Sequence, residues 1–568
     1  MPTGIIIAGI GVMLFFRPFA SVDWLVWLIG AGLLVAGVFE LVSALADRPG
    51  LRISRWGAAL VGVVALVVGV LVFTWPGVTV RTLVLLVAAL LAAAGLRDLG
   101  VALTSDRPQR WTSVLFGLAS IIGAVTLIAW PDVTVMLIGV LFGVWLVAMG
   151  LRIAITALIA RFSRVASGGE SRRHPVLRGI ASVVASAIAV TAAFVGVRLS
   201  STPIPDAFYT PVGAVPDQPG VLLKSEPFSR SVPEGALAWR ILYTTTGLDD
   251  APHVASALVV VPETPGPHPV IGWTHGTTGV ATGCAPSLLP EPFVSGAMPD
   301  LHEALDAGWA VVATDYIGLG TATQHQYVVG EPAARAELDA LRAARQLAGV
   351  ELADETVLWG HSQGGHATLW TAGLAPTYAP ELDIRGVAAM APAANLPALL
   401  QSFAGNSLSL LFGAFVIVGY EAAYPDVRAS NYVMPSARIS VDEVARRCLV
   451  DPATLVSVVQ AGLSGAPVWT KDPSTGALGE RAQQNVPLKP IPVPLLIAQG
   501  LADPLIVPPA QQAYVDELCS RGQAVDYRTY PGRDHMGVVT GDSPLLPELL
   551  EWTKDRFEGR PPTPTCGG

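Results

Sequence analysis

The chain has 568 residues, of which 52% are hydrophobic and only 14% charged, where an ordinary soluble domain carries about 25% charged residues. With 57 Gly and 46 Pro, that balance excludes disorder, a coiled coil and a wholly soluble enzyme. Four cysteines exclude a disulfide-dense scaffold and offer no C-x-x-C metal pattern.

Charge divides the chain. Residues 1–200 hold 15 Arg, no Lys and 7 acidic residues, a net of +8, whereas residues 201–568 carry a net of −17. An apolar half with scattered Arg reads as membrane. An acidic half of ordinary polarity reads as a water-facing domain, and its lack of a basic stripe argues against nucleic acid as a partner.

The first half repeats. Pro18, Pro76 and Pro131 are spaced 58 and 55 residues apart, and Gly37, Gly95 and Gly150 keep the same spacings. Each Pro precedes its Gly by 19 residues. Each unit has two apolar stretches around a Pro-containing turn, and a bilayer core needs roughly 17–25 helical residues. The pattern predicts helices over 3–18, 22–45, 56–75, 78–103, 111–130 and 133–160, with a seventh over 176–197. Arginines gather in the loops after the second, fourth and sixth helices (Arg48, Arg52, Arg55; Arg107, Arg110; Arg161 to Arg178). By the positive-inside rule the N-terminus is cytoplasmic and residues from 200 onward lie outside. Glu40, Arg97, Asp98 and Arg152 fall near inner helix ends and read as snorkelling charges. These three Pro-centred two-helix repeats resemble the DUF308 family, which includes HdeD-like membrane proteins, over residues 1–160. The resemblance implies a six-helix membrane bundle without catalytic residues. Residues 161–200 then form a basic cytoplasmic loop and the seventh helix.

Residues 201–235 are rich in Ser, Pro, Gly and Asp without periodicity, and read as a linker. From 236 to 560, apolar runs alternate with helical segments, the signature of a mostly parallel sheet. Strands are predicted at Ala238–Thr246, Val254–Pro262, Pro269–Thr274, Ala310–Asp315, Thr356–Trp359, Ile384–Met390, Pro494–Gln499 and Val525–Tyr530. Helices are predicted at 331–349, 364–374, 508–521 and 544–557. The expected fold is thus a transmembrane bundle of about seven helices followed by an α/β-hydrolase domain with a helical cap over about 391–490. The apolar run Leu399–Val418 is expected to be one cap helix facing an acyl pocket. An eighth membrane span there would part the residues beyond it from Ser362.

Gly360-His361-Ser362-Gln363-Gly364 matches the nucleophile elbow G-x-S-x-G, in which the serine sits on a strained strand-to-helix turn that leaves no room for side chains at the glycines. A buried strand, Val357-Leu358-Trp359, ends at the motif, and a helix begins after it. In this fold the acid and then the histidine follow the serine. His535 follows the last strand and is the candidate base, with His366 the lesser alternative. Asp503 ends the preceding strand and is the candidate acid, with Asp534 second. The oxyanion of acyl transfer needs two preorganised donors. One is the N–H of Gln363; the other is expected from His275-Gly276-Thr277-Thr278-Gly279, with Thr277 first and Gly276 next.

Phe208-Tyr209-Thr210-Pro211, Leu223-Lys224-Ser225-Glu226-Pro227, Cys284-Ala285-Pro286-Ser287, the elbow through His366 and the insert before Asp503 together resemble the secretory lipase (LIP) family, in particular its fungal lipase A type, over about 206–558. The resemblance implies a Ser-Asp-His triad, matched by Ser362, Asp503 and His535, a large helical cap, no metal or cofactor, and hydrolysis of lipid esters. It also implies a disulfide between Cys284 and Cys448, against the alternative that the cysteines are free. The expected protein is an integral membrane lipase or carboxylesterase with its hydrolase domain outside the cytoplasm. Two other readings stand beside it: an acyltransferase acting on envelope lipids, and a membrane stress or scaffold protein with an inert hydrolase half.

Overall fold

The computed structural model describes residues 202–403, 409–435, 437–454, 457–458 and 467–566, a helix at Arg107–Ala129, and scattered positions between 38 and 103. The chain divides into two compact units. The larger comprises Thr202–Tyr432, Val444–Thr454 and Trp469–Gly568, and the smaller comprises Met1–Ser201, Val433–Glu443 and Leu455–Val468.

In the smaller unit, Arg107–Ala129 is helical; it overlaps the fifth expected stretch, 111–130, and begins four residues earlier, taking in Arg107 and Arg110, which were expected in the preceding loop. Its Gly117 and the repeat glycine Gly95 meet closely. A Cβ on Gly95 would lie 2.7 Å from the Gly117 carbonyl, and one on Gly117 would lie 2.8 Å from the Gly95 carbonyl. Small residues let two helix backbones approach in this way. No helix among the described residues is long and apolar enough to cross a membrane. The other expected membrane helices lie largely or wholly outside the described residues.

The larger unit is built on nine strands: β1 (Leu222–Phe228), β2 (Ala236–Thr246), β3 (Pro252–Pro262), β4 (His268–Thr274), β5 (Ala310–Thr314), β6 (Leu352–His361), β7 (Asp383–Met390), β8 (Leu495–Gly500) and β9 (Asp526–Tyr530). They form one sheet in the order β1-β2-β3-β5-β4-β6-β7-β8-β9. Pairing is antiparallel from β1 to β5 and parallel from β5 to β9. The helices that matter for the site are α1 (Leu301–Asp306), α2 (Gly330–Ala344), α3 (Gln363–Tyr378), α4 (Leu396–Phe403), α5 (Ser409–Ala423), α6 (Gly476–Gln484), α7 (Pro508–Ser520) and α8 (Leu545–Phe557).

Strand residues alternate between two buried faces, as the twofold period of a strand requires. Ala255, Ala257, Val259 and Val261 of β3 join Ala336 and Ala340 of α2, Leu369 of α3 and Leu518 of α7. Leu258 and Val260 turn the other way, toward Leu305 of α1 and Leu549 and Trp552 of α8. A sheet covered on both faces needs near-continuous apolar strands, which is why these runs stand out in the sequence.

Two elements differ from expectation. The segment 201–235 contains β1, which carries Lys224, Ser225, Glu226 and Pro227 and pairs only with β2 at the sheet edge. An edge strand tolerates proline and charge, so it lacks an apolar signature. The run Leu399–Val418 holds parts of two helices, α4 and α5, in place of one.

All four cysteines are paired, Cys284 with Cys448 (Cα–Cα 5.2 Å) and Cys519 with Cys566 (Cα–Cα 5.7 Å).

Candidate active site

Register brings the site together. Thr274 of β4 pairs with Gly360 of β6, so the loop after β4 and the turn after β6 emerge side by side. Gly500 of β8 pairs with Tyr530 of β9, so the loops bearing Asp503 and His535 also emerge together. Parallel sheets present their ligand sites at these carboxyl ends.

Ser362 sits between β6 and α3 with φ 57° and ψ −119°, a strained backbone for a residue with a Cβ. Its N–H donates to the Met390 carbonyl at 2.9 Å, and its carbonyl accepts from Ala393 at 3.0 Å and His366 at 3.1 Å. A Cβ on Gly364 would strike the Thr274 carbonyl, and one on Gly360 would strike the Gly364 carbonyl and the Thr274 hydroxyl. The two flanking glycines of the motif are therefore steric requirements of this turn.

The Ser362 hydroxyl donates to His535 Nε2 at 2.9 Å, and His535 Nδ1–H donates to Asp503 Oδ2 at 2.8 Å. Asp503 is buried. Its Oδ1 accepts from the N–H groups of Leu505 (2.8 Å) and Ile506 (2.9 Å), and its Oδ2 also accepts from Gln499 Nε2 at 3.2 Å. Those donors hold the carboxylate in one orientation, which in turn fixes which imidazole nitrogen carries the proton. The two alternatives lie elsewhere. His366 donates from Nε2 to the Asn485 carbonyl at 2.8 Å, and Asp534 is exposed and accepts from Gly537 N–H at 2.7 Å.

His361 lies against His535, ring centroids 4.7 Å apart, and donates from Nε2 to the His535 carbonyl at 3.0 Å. Burial, with the neighbouring His535 imidazole adding to it, pushes His361 down to about 3. It stays neutral and acts as a fixed wall for the base. Asp315, at the end of β5, accepts from the hydroxyls of Ser256 and Ser287, both at 2.5 Å, and burial raises it to about 6.

The loop after β4 abuts the elbow: a Cβ on Gly276 would lie 3.4 Å from the His361 carbonyl. The Gly276 N–H donates to the Gly296 carbonyl at 2.9 Å. That amide is committed, which removes Gly276 from the candidate oxyanion donors. The N–H groups of Thr277 and Gln363 donate to no other protein group among the described residues. The Thr277 hydroxyl shares a hydrogen bond with Tyr327 OH at 2.7 Å, and Gln363 Nε2 donates to His325 Nε2 at 3.0 Å. Sequence reasoning missed His361, Gln499, His325 and Tyr327. The first two stand one residue from Ser362 and four from Asp503, and that proximity was the available signal.

The sequence profile of the secretory lipase (LIP) family matches residues 296–565, and that of the DUF308 short repeat matches three times, at 3–73, 60–129 and 115–191. The chain carries DUF308 repeats followed by a secretory lipase domain. Lipase 10 of Candida albicans is 27% identical over 405 residues, covering 64% of this chain and 83% of that protein. A Mycobacterium tuberculosis protein named "Probable inactive lipase" is also 27% identical, over 387 residues, covering 64% and 84%. Candida antarctica lipase A in its closed state superimposes with a TM-score of 0.54 at 22% identity, over 65% of this chain and 89% of that one. This likeness marks the secretory lipase domain as an α/β-hydrolase fold.

Proposed function

We propose that the protein is a membrane-anchored serine carboxylic-ester hydrolase of lipase type, with Ser362 the nucleophile, His535 the base and Asp503 its orienting acid. The observation that carries this reading is the unbroken hydrogen-bond chain Ser362–His535–Asp503 at 2.9 and 2.8 Å. His535 takes the Ser362 proton as Oγ attacks the ester carbonyl. The N–H groups of Gln363 and Thr277 stabilise the oxyanion, and His535 returns the proton to the departing alcohol. Water, activated by the same imidazole, then releases the acid.

The DUF308 repeats and their apolar, Arg-bearing stretches support a membrane anchor, with the secretory lipase domain outside the cytoplasm. The two disulfides support an oxidising compartment. The test is full-length protein against p-nitrophenyl esters and acylglycerols of graded chain length, beside Ser362→Ala. A fluorophosphonate should label Ser362, and hydrolysis should vanish in the variant. The relative named as a probable inactive lipase makes the inert reading concrete: no labelling and no turnover would establish it. Product analysis with a competing lipid alcohol separates hydrolysis from acyl transfer.

A further inference from the structure

Between β5 and α2, residues 315–329 form a loop with two unusual backbone positions. Tyr316 has φ 67° and Val328 has φ 49°, a left-handed conformation that is costly for a bulky or β-branched side chain. Such conformations persist only where the surroundings hold them. Here Tyr316 OH donates to the His275 carbonyl at 3.0 Å, and Tyr420 OH of α5 donates to the Val328 carbonyl at 3.3 Å.

Two side chains inside this loop reach the elbow and the loop after β4. Tyr327 OH meets the Thr277 hydroxyl at 2.7 Å. His325 Nδ1–H donates to the Ile317 carbonyl at 3.0 Å, which leaves Nε2 to accept from Gln363 Nε2 at 3.0 Å. The tautomer of His325 is thereby set by the loop's own backbone. The other amide atom of Gln363, Oε1, is buried and without a partner, so His325 is the one hydrogen-bonding tether of that side chain among the described residues. The Tyr316 ring stacks on His325 with centroids 5.7 Å apart. Tyr327 packs edge-on against Phe415 of α5, centroids 5.8 Å apart, and a Cβ on Gly419 of the same helix would crowd its backbone.

The geometry points to Tyr327 and His325 as positioning residues for the oxyanion hole, each tethering by one hydrogen bond the side chain of one residue whose N–H is free to receive the oxyanion. Through Tyr327 the cap helix α5 bears on Thr277, so the register of the cap is transmitted to one of the two donors. This assignment rests on the serine-hydrolase reading above. Neither tether touches the substrate. Both act by keeping amides aimed at a charge that forms only in the transition state, and misplacement of such groups lowers turnover more than binding.

The test uses full-length protein with Tyr327→Phe, His325→Phe and Thr277→Val. Each removes a hydrogen bond while keeping most of the side-chain volume. The expected result is a kcat lower by about 10-fold in each, with KM changed less than about twofold. This falls short of the 10²–10³-fold loss typical when an oxyanion donor is removed outright. Affinity for a trifluoromethyl ketone, which forms an oxyanion adduct on the serine, should fall in parallel with kcat. A purely structural role would not produce that parallel. Tyr327→Phe added to Thr277→Val should cost little more, because both remove the same bond. Should Tyr327→Phe fold poorly, Thr277→Val reads that bond from its other side. Unchanged kcat in Tyr327→Phe and Thr277→Val, with hydrolysis still abolished by Ser362→Ala, overturns the positioning role alone. Hydrolysis surviving Ser362→Ala overturns the underlying reading as well.

Discussion

The hydroxyl of Thr274, the last residue of β4, donates to the carbonyl of Gly364 at 2.8 Å. It thereby clamps the loop that carries Thr277 to the first turn of the helix that follows Ser362. Both residues are buried. Thr274→Val keeps the shape and removes this hydrogen bond, at a cost of about 0.5–1.5 kcal/mol, because the Gly364 carbonyl keeps its place in the backbone ladder of the helix. We expect a lower melting temperature and slower fluorophosphonate labelling of Ser362. Gly364→Ala is harsher, because the new methyl would strike the Thr274 carbonyl itself. We expect it to yield little folded protein. Equal labelling rates for wild type and Thr274→Val would show that the clamp has no bearing on the nucleophile.

Asp503 gives a prediction that separates orientation from folding. Its Oδ1 accepts two backbone N–H groups and its Oδ2 faces His535 Nδ1. Asp503→Asn fits the same space, but an amide held oxygen-first toward Leu505 and Ile506 turns its NH₂ toward the imidazole. That favours the wrong tautomer, with the proton on Nε2, where Ser362 needs an acceptor. By analogy with other triads, kcat should fall about 10³–10⁴-fold, with the melting temperature little changed. A variant that keeps more than a tenth of wild-type kcat would remove Asp503 from its role.

How far the sequence reached depended on how local each signal was. β3 to β8 were legible because each holds an apolar run buried in the sheet. β1 was not, because Lys224, Glu226 and Pro227 suit an edge. Ser362, Asp503 and His535 were legible because each follows a recognisable strand in a fixed order. Gly276 was not, because no sequence pattern says that its amide is taken by the Gly296 carbonyl twenty residues away. His325 and Tyr327 were hidden for the same reason: their partners, Gln363 and Thr277, are 38 and 50 residues distant. Family resemblance supplied the Cys284–Cys448 pair, and nothing in the sequence supplied Cys519–Cys566.

The two disulfides should differ in worth. Cys284 and Cys448 are separated by 164 residues, Cys519 and Cys566 by 47. Loop-closure entropy in the unfolded chain favours the longer link, at about 5 against about 4 kcal/mol. The longer link also joins the segment after Thr278 to residue 448, where Leu449 N–H donates to the Thr278 carbonyl at 2.7 Å. The double replacement Cys284→Ala with Cys448→Ala should lower both melting temperature and kcat. Cys519→Ala with Cys566→Ala should lower melting temperature alone. Loss of activity in the second pair and not the first would reverse this assignment.

Acid should destabilise the secretory lipase domain steeply, and the cause is its buried histidines. Burial pushes His275, His325 and His366 down to about 4 and His361 to about 3, against an ordinary value near 6.5. Below pH 6.5 the unfolded chain therefore binds four protons that the folded chain refuses until pH approaches 4. Their stabilisation is full above pH 6.5 and is lost as pH falls toward 4. Asp315, raised to about 6 by burial, and Glu337, pushed well above the usual carboxylate range by burial, oppose this by about one proton each, because the folded chain takes them up first. The net is about two protons near pH 5, a ceiling of about 3 kcal/mol per pH unit. Melting temperature should thus fall sharply between pH 6.5 and 4.5. His366→Gln, which can keep the donation to the Asn485 carbonyl, should make that fall shallower by one proton's share. Asp315→Asn should make it steeper. A melting temperature flat across this range would mean that the buried imidazoles are solvated before the domain unfolds.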